Sequence, residues 1–133
     1  MANLVQTYAN EPVWAVVGAS NDRSKFGNRI YLTLREAGYQ VYAVNPREDV
    51  IEGDPAYKSV ADLPVTPTVV DMVIPPRFAL STVQQAKEKG VKAIWFQPGS
   101  EDPEAIQWAK DNGLDVVESC ILVHHVQKPS RDS

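Results

Sequence analysis

The fold of this chain is decided by the stretch VWAVVGAS, residues 13–20. Its five apolar residues predict a buried strand, and Gly18, Ala19 and Ser20 predict a tight turn into a helix. The turn brings small side chains and backbone N–H groups to the start of that helix. N–H donors and the helix dipole both favour an anion there. The stretch therefore indicates a strand–turn–helix unit that holds a phosphorylated ligand.

Three later segments share one arrangement, in which a helix ends at a glycine and a short apolar strand follows. The glycines are Gly38, Gly90 and Gly113, and glycine readily adopts the left-handed conformation that ends a helix. Helices that lead repeatedly into strands are typical of βα units. We therefore predict an α/β fold, a single Rossmann-like domain with helices on both faces of a parallel sheet. Its five strands are predicted at residues 13–17, 41–44, 69–74, 93–96 and 114–117.

Right-handed crossovers give these strands the order 3-2-1-4-5. The segment 46–67 is rich in Pro, Asp and Glu and is predicted to be an irregular connection between the second and third strands. The domain is predicted to span residues 1–133. Residues 1–10 would form a short helix or arm at the edge, and residues 127–133 a polar tail.

The composition argues against several classes of protein. The chain has 133 residues, of which 44% are hydrophobic, and a net charge of −4. No apolar run approaches the roughly 20 residues that span a bilayer, and an acidic chain is not expected to bind nucleic acid. The first residues lack the pattern of a signal peptide. The single cysteine, Cys120, is expected to be a small buried hydrophobe, and it favours a reducing, cytoplasmic environment.

The predicted ligand follows from the ends of the first two strands. A dinucleotide motif G-x-G-x-x-G would need glycines where Ser20 and Arg23 stand. An NAD site also has an acid after the second strand, where this chain has Asn45, Pro46 and Arg47. A basic residue beside the ribose suits a ribose phosphate. NADP and coenzyme A (CoA) are the two ligands that fit.

Five segments occur in an order and spacing that cover nearly the whole chain. They are VVGAS at 16–20, GYQVYAVNP at 38–46, DMVIPP at 71–76, WFQPG at 95–99 and CILV at 120–123. Together they resemble the small CoA-binding domain proteins, which are similar to the N-terminal domain of the succinyl-CoA synthetase α subunit. In the synthetase a second domain supplies a phosphorylated histidine. The resemblance therefore implies CoA binding without ligase chemistry.

The resemblance also implies a role for each matching position. Gly18, Ala19 and Ser20 would hold the CoA diphosphate, and Arg23 and Lys25 would neutralise phosphate charge, including that of the 3′-phosphate. The remaining positions would follow the rest of the ligand: Asn45, Pro46 and Arg47 beside the adenosine, Ile74, Pro75 and Pro76 along the cleft, and Gln97, Pro98 and Gly99 near the pantetheine arm.

No residue set in the sequence has the pattern of a catalytic or metal site. His124 and His125 would point to opposite faces of a strand. Asp71 has no second acid paired with it and is expected to be a structural carboxylate at a helix edge or strand end. We expect a module that binds, senses or carries CoA or an acyl-CoA, with a homo-oligomer or a protein partner left open. Two alternatives are an NADP-dependent oxidoreductase or nucleotide-binding subunit, and an interaction domain.

Overall fold

The computed structural model describes residues 4–123, which form an α/β sandwich. Four helices lie in the order α1 Leu4–Ala9, α2 Phe26–Glu36, α3 Ala79–Lys89 and α4 Pro103–Asp111. The seven strands are β1 Val13–Val17, β2 Gln40–Val44, β3 Val50–Ile51, β4 Asp54–Tyr57, β5 Val69–Met72, β6 Ala93–Phe96 and β7 Asp115–Glu118. Short 3-10 turns cover Val60–Asp62, Pro76–Phe78 and Ile121–Val123.

The strands form one sheet in the order β3-β4-β2-β1-β5-β6-β7. All neighbours are parallel except β3 and β4, which form an antiparallel hairpin. In the centre of the sheet, Val16 lies opposite Ala43 on one side and Asp71 on the other. The carboxyl ends of β2, β1, β5 and β6 therefore meet at one edge, where ligands bind in folds of this kind.

The Rossmann-like α/β class is correct and each of the five predicted segments contains a strand, but the predicted number of strands and their order 3-2-1-4-5 are wrong. The strand predicted at 69–74, observed as β5, pairs with β1 instead of lying outside β2. The place beside β2 belongs to β4, which lies within the segment predicted to be irregular. Gly53, Asp54 and Pro55 disfavour a strand in the sequence. Pro55 is tolerated because the hairpin lies at the margin of the sheet.

Helices cover both faces of the sheet, as predicted. On one face α3 and α4 pack through Val83, Ala86, Ala105 and Ala109. The other face is covered by α1, α2 and the turn at Ile121–Val123. Continuous burial of β5 and β6 is the pattern of strands covered on both sides.

The ends of the helices agree with the sequence analysis. The predicted helix-ending glycines Gly38, Gly90 and Gly113 have φ angles of 96°, 98° and 83°. Helix α1 lies against the edge strand β7, where the Tyr8 hydroxyl donates to Asp115. The predicted tail at 127–133 lies outside the described residues. Within the described part of the chain, no helix combines the length and apolar character needed to cross a bilayer.

Candidate functional site

The loop from β1 to α2, residues 18–25, is packed tightly against the protein on its inner side. Gly18 has a φ of 102°, and a Cβ there would lie 2.1 Å from the Val73 carbonyl oxygen. A Cβ on Gly27 would lie 2.0 Å from the carbonyl oxygen of Gly18. Both positions therefore require glycine so that β1, α2 and the end of β5 can approach each other. The sequence marks Gly27 only as the next glycine along the chain.

Two asparagines hold the carbonyl groups of this β1–α2 loop. Asn45, directly after β2, donates from Nδ2 to the Ala19 carbonyl at 2.9 Å. Asn28, in the first turn of α2, donates from Nδ2 to the Ser20 carbonyl at 2.9 Å. In a trans peptide the N–H points opposite to the C=O. The N–H groups of Ser20 and Asn21 therefore point away from these asparagines.

These N–H groups have no hydrogen-bond acceptor among the described residues, and we call such groups open amides. Within residues 4–123, the amides of Ser20, Asn21 and Phe26 donate to no acceptor. Phe26 is the first residue of α2, and its N-cap, Lys25, provides no side-chain cap. Open amides at a helix N-terminus are suited to bind an anion such as a phosphate. Of the three residues predicted to hold a diphosphate, Ser20 has such an amide, whereas the Gly18 N–H donates to the Val44 carbonyl at 3.0 Å.

The two cations predicted to meet phosphate differ in their surroundings. Arg23 donates from Nε and Nη2 to the Glu52 carboxylate at 3.1 and 3.0 Å. Lys25 is exposed and makes no side-chain hydrogen bond or ion pair with the described residues. The hydrogen bonds from Arg23 and Asn28 lower the pKa of Glu52, so this carboxylate is ionised. Arg23 is therefore already paired with a carboxylate, whereas Lys25 interacts with an acid, Asp22, only through space.

The end of β2 is organised by Asn45. Its Oδ1 accepts from the Arg47 amide at 2.8 Å, and its backbone N–H donates to Tyr57 of β4. Pro46 and Arg47 are exposed beside it. The position that carries an acid in NAD sites thus carries an amide that supports the β1–α2 loop, followed by an exposed cation.

The remaining predicted residues follow β5 and β6. Ile74 is next to Gly18, and its N–H donates to Ser100 Oγ at 3.1 Å. Pro75 and Pro76 are exposed, as are Pro98 and Gly99. All fourteen predicted positions therefore lie at or just beyond the carboxyl ends of β1, β2, β5 and β6.

Gln97 differs from its neighbours because its side chain is completely buried. Its Nε2 donates to Asp71 Oδ1 at 2.7 Å, and its Oε1 accepts from the Ile121 amide at 3.2 Å. The amide thus joins β5, β6 and the turn after β7. Gln97 as a whole therefore offers no exposed surface to a ligand, whereas Pro98 and Gly99, predicted beside it, are exposed.

Asp71 lies within β5, not at a helix edge or strand end as predicted, and it is fully buried. Its Oδ2 has no hydrogen-bond partner. Burial raises the pKa of Asp71 to about 8, against the opposing effect of the Gln97 hydrogen bond. Asp71 is therefore a neutral carboxylic acid near pH 7. A lone Asp in an apolar run is the sequence signal for such a group.

Neither metal ligands nor Cys120 give the described part of the candidate site a further chemical role. Within residues 4–123, no three His, Cys, Asp or Glu side chains are grouped to hold a metal ion. His124 and His125 lie outside the described residues. Cys120 is half-buried between Ser119, which donates to Phe96, and Ile121.

The fold is that of a Rossmann-like protein, and the open amides form a candidate site for a phosphorylated ligand. More specifically, the chain belongs to the family described as the CoA binding domain, whose model matches residues 12–126. The predicted resemblance to the CoA-binding domains of the succinyl-CoA synthetase type is thereby confirmed.

Individual relatives agree with this assignment. The α subunit of ADP-forming acetate–CoA ligase II from Pyrococcus furiosus is 42% identical over 81 residues, which are 60% of this chain and 18% of the relative. A hypothetical protein from Pyrococcus horikoshii OT3 superimposes with a TM-score of 0.88 at 34% identity, covering 91% of this chain and 87% of the other.

A dinucleotide-forming acetyl-coenzyme A synthetase from Ca. Korarchaeum cryptofilum gives a TM-score of 0.74 at 28% identity. That match covers 84% of this chain but 27% of the synthetase. The chain likewise spans less than a fifth of the acetate–CoA ligase relatives it matches. This chain is thus a CoA-binding domain related to one part of much longer ligases.

Proposed function

We propose that this chain binds CoA or an acyl-CoA at the carboxyl edge of β1, β2, β5 and β6, as a non-catalytic binding, sensing or carrier module. The observation that carries the proposal is the set of open amides at Ser20, Asn21 and Phe26. They lie beside the exposed cations Lys25 and Arg47. A diphosphate needs both N–H donors and positive charge.

The rest of the ligand is assigned to the loops around these amides. The diphosphate lies on the β1–α2 loop, and the adenosine with its 3′-phosphate lies beside Asn45, Pro46 and Arg47. The pantetheine arm runs between the loops at 74–76 and 97–99. Exposed prolines in both loops offer rigid apolar surface to the methylene groups of the arm.

The absence of catalysis is part of the proposal. Asp71 is the one acid in the described chain with a strongly raised pKa, and its complete burial removes it from any substrate. Two of the ligase relatives are named as subunits. Any group transfer would then use groups that residues 4–123 do not supply, and the module acts by holding CoA.

Ligand choice is tested by calorimetric titration of CoA, dephospho-CoA, NAD and NADP under one buffer condition. CoA is expected to bind most tightly, and dephospho-CoA more weakly because it lacks the 3′-phosphate. NAD binding as tight as that of CoA would refute the proposal. NADP binding as tight as that of CoA would favour the alternative of an NADP-dependent oxidoreductase or nucleotide-binding subunit.

The non-catalytic role is tested separately, with acetyl-CoA and the purified protein. Release of the CoA thiol is followed with a thiol reagent, in the absence and presence of ADP and phosphate. No release above the buffer rate is expected. Release that increases with protein concentration and stops in the presence of excess desulfo-CoA, a competitor without a thiol, would show that the chain is an enzyme.

A further inference from the structure

The turn between β3 and β4 reaches the β1–α2 loop through one residue, Glu52. Its φ of 49° makes Glu52 the one non-glycine residue of positive φ in the described chain. Its backbone is held on both sides, since its N–H donates to Asn21 Oδ1 and its carbonyl accepts from Arg35 Nη1, both at 2.9 Å. An unfavourable backbone conformation that is held in this way often has a functional reason.

The Glu52 carboxylate is the more buried partner of its ion pair. Its side chain is 10% exposed, whereas that of Arg23 is 78% exposed. Besides Arg23, the carboxylate accepts from Asn28 Nδ2 at 2.7 Å. The same Asn28 Nδ2 donates to the Ser20 carbonyl, which sets the direction of the Asn21 N–H. One carboxylate thus fixes both Arg23 in the loop and the asparagine that orients the loop.

We propose that Glu52 is a positioning residue for the phosphate site, which it holds in shape through Arg23 and Asn28. The inference rests on the proposed function, because it concerns the same β1–α2 loop. Arg23 then serves the site by bracing the loop against the hairpin, and Lys25 is the cation that meets phosphate. A loop fixed before the ligand arrives loses less conformational entropy on binding.

The positioning role of Glu52 and direct contact between Arg23 and phosphate predict different effects of substitution on ligand affinity. If Arg23 acts through Glu52, removing either partner loosens the same loop, and the two changes are not additive. The loss is then the same for CoA and dephospho-CoA, because no contact with the 3′-phosphate is removed. If Arg23 contacts phosphate directly, freeing it from Glu52 instead strengthens CoA binding.

The test measures CoA and dephospho-CoA affinity for wild type, Glu52→Gln, Arg23→Ala and the double variant. Each single change is expected to weaken both ligands by about two- to fivefold, the range for an exposed ion pair. The double variant is expected to show no further loss. Arg23→Lys, which keeps one donor to Glu52, is expected to recover part of the affinity.

Asp49→Asn is the matched control, since it removes another ion pair beside the hairpin, to Lys58 at 2.8 Å, between side chains that form no hydrogen bond with the β1–α2 loop. It should leave affinity unchanged. Tighter CoA binding by Glu52→Gln, additive losses, or an Arg23→Ala loss confined to CoA would each overturn the inference. Should Glu52→Gln fail to fold, the affinities of Arg23→Ala and Arg23→Lys for the two ligands still decide whether Arg23 braces the loop or contacts phosphate.

A second measurement does not depend on CoA. Trypsin cleavage after Lys25, followed by mass spectrometry on the folded protein, reports how often the loop opens. Cleavage should be faster in Glu52→Gln and Arg23→Ala than in wild type and Asp49→Asn. Equal rates in all four proteins would refute the positioning role. Failure of wild type to bind CoA, with the cleavage difference present, would refute the proposed function alone.

Discussion

Replacing Asp71 by asparagine removes a carboxyl group from the centre of the sheet with almost no change in shape. In the native protein Asp71 is fully buried, accepts one hydrogen bond from Gln97 and leaves Oδ2 without a partner. An asparagine side chain keeps an oxygen for Gln97. Ionisation is the property that the substitution removes, and the pH dependence of stability therefore isolates it.

The sign and size follow from the two states of the chain. Burial raises the pKa of Asp71 to about 8, whereas an unfolded Asp has a pKa of about 4. Below about pH 4 both states hold the proton, and between about pH 4 and 8 only the folded state does. Stability therefore falls as the pH rises through this window, by on the order of 5 kcal/mol, and levels off above it.

The assay is urea unfolding at a series of pH values, followed by the fluorescence of the buried Trp14 and Trp95. The free energy of unfolding of Asp71→Asn minus that of wild type should rise steadily from about pH 4 to 8. Glu118→Gln makes the same change on an exposed side chain of β7, and it controls for surface charge. A difference between Asp71→Asn and wild type that is constant with pH would refute the reasoning.

Further predictions concern the edge of the sheet. Gly18→Ala should lower the free energy of unfolding by about 3 kcal/mol or more, because its Cβ meets the Val73 carbonyl. Gly113→Ala, with positive φ but open space, should cost about 1–2 kcal/mol in the same urea assay. Lys25→Ala should weaken CoA binding about tenfold at low salt, and less at high salt, by calorimetry. Cys120→Ala should leave CoA affinity within about twofold, since a half-buried cysteine acts as a small hydrophobe; a larger loss in titration would contradict this.

The sequence predicts the edge of the sheet well because local patterns determine it. The apolar run of β1 ends at Gly18, and the helix-ending glycines Gly38 and Gly90 place the following strands. Once these strands are parallel, their carboxyl ends must meet, and the loops at Asn45 and Ile74 come together. The position of the candidate site thus follows from topology, without knowledge of any side-chain contact.

The parts that the sequence does not predict depend on contacts between distant residues. Arg23 and Glu52 are 29 positions apart, and no local pattern shows that they pair. Strand β4 forms because the outer side of β2 is free to accept it. Pro55 lowers the strand propensity of this segment, so the sequence does not indicate a strand there. Asp71 was expected to be a simple structural carboxylate, because hydropathy alone does not place a charged residue type inside a core.

The contacts around the β1–α2 loop also separate its stability from its affinity for a ligand. The glycines at 18 and 27 make room for protein atoms, the carbonyl oxygens of Val73 and of Gly18 itself. Their loss therefore strains the fold whether or not a ligand is present. Asn45 and Asn28 hold carbonyl groups from the inner side, which leaves the opposite N–H groups free. The amide-bearing side of the loop is thus shaped without any phosphate, and in the proposed site the exposed side chain of Lys25 would add positive charge beside it.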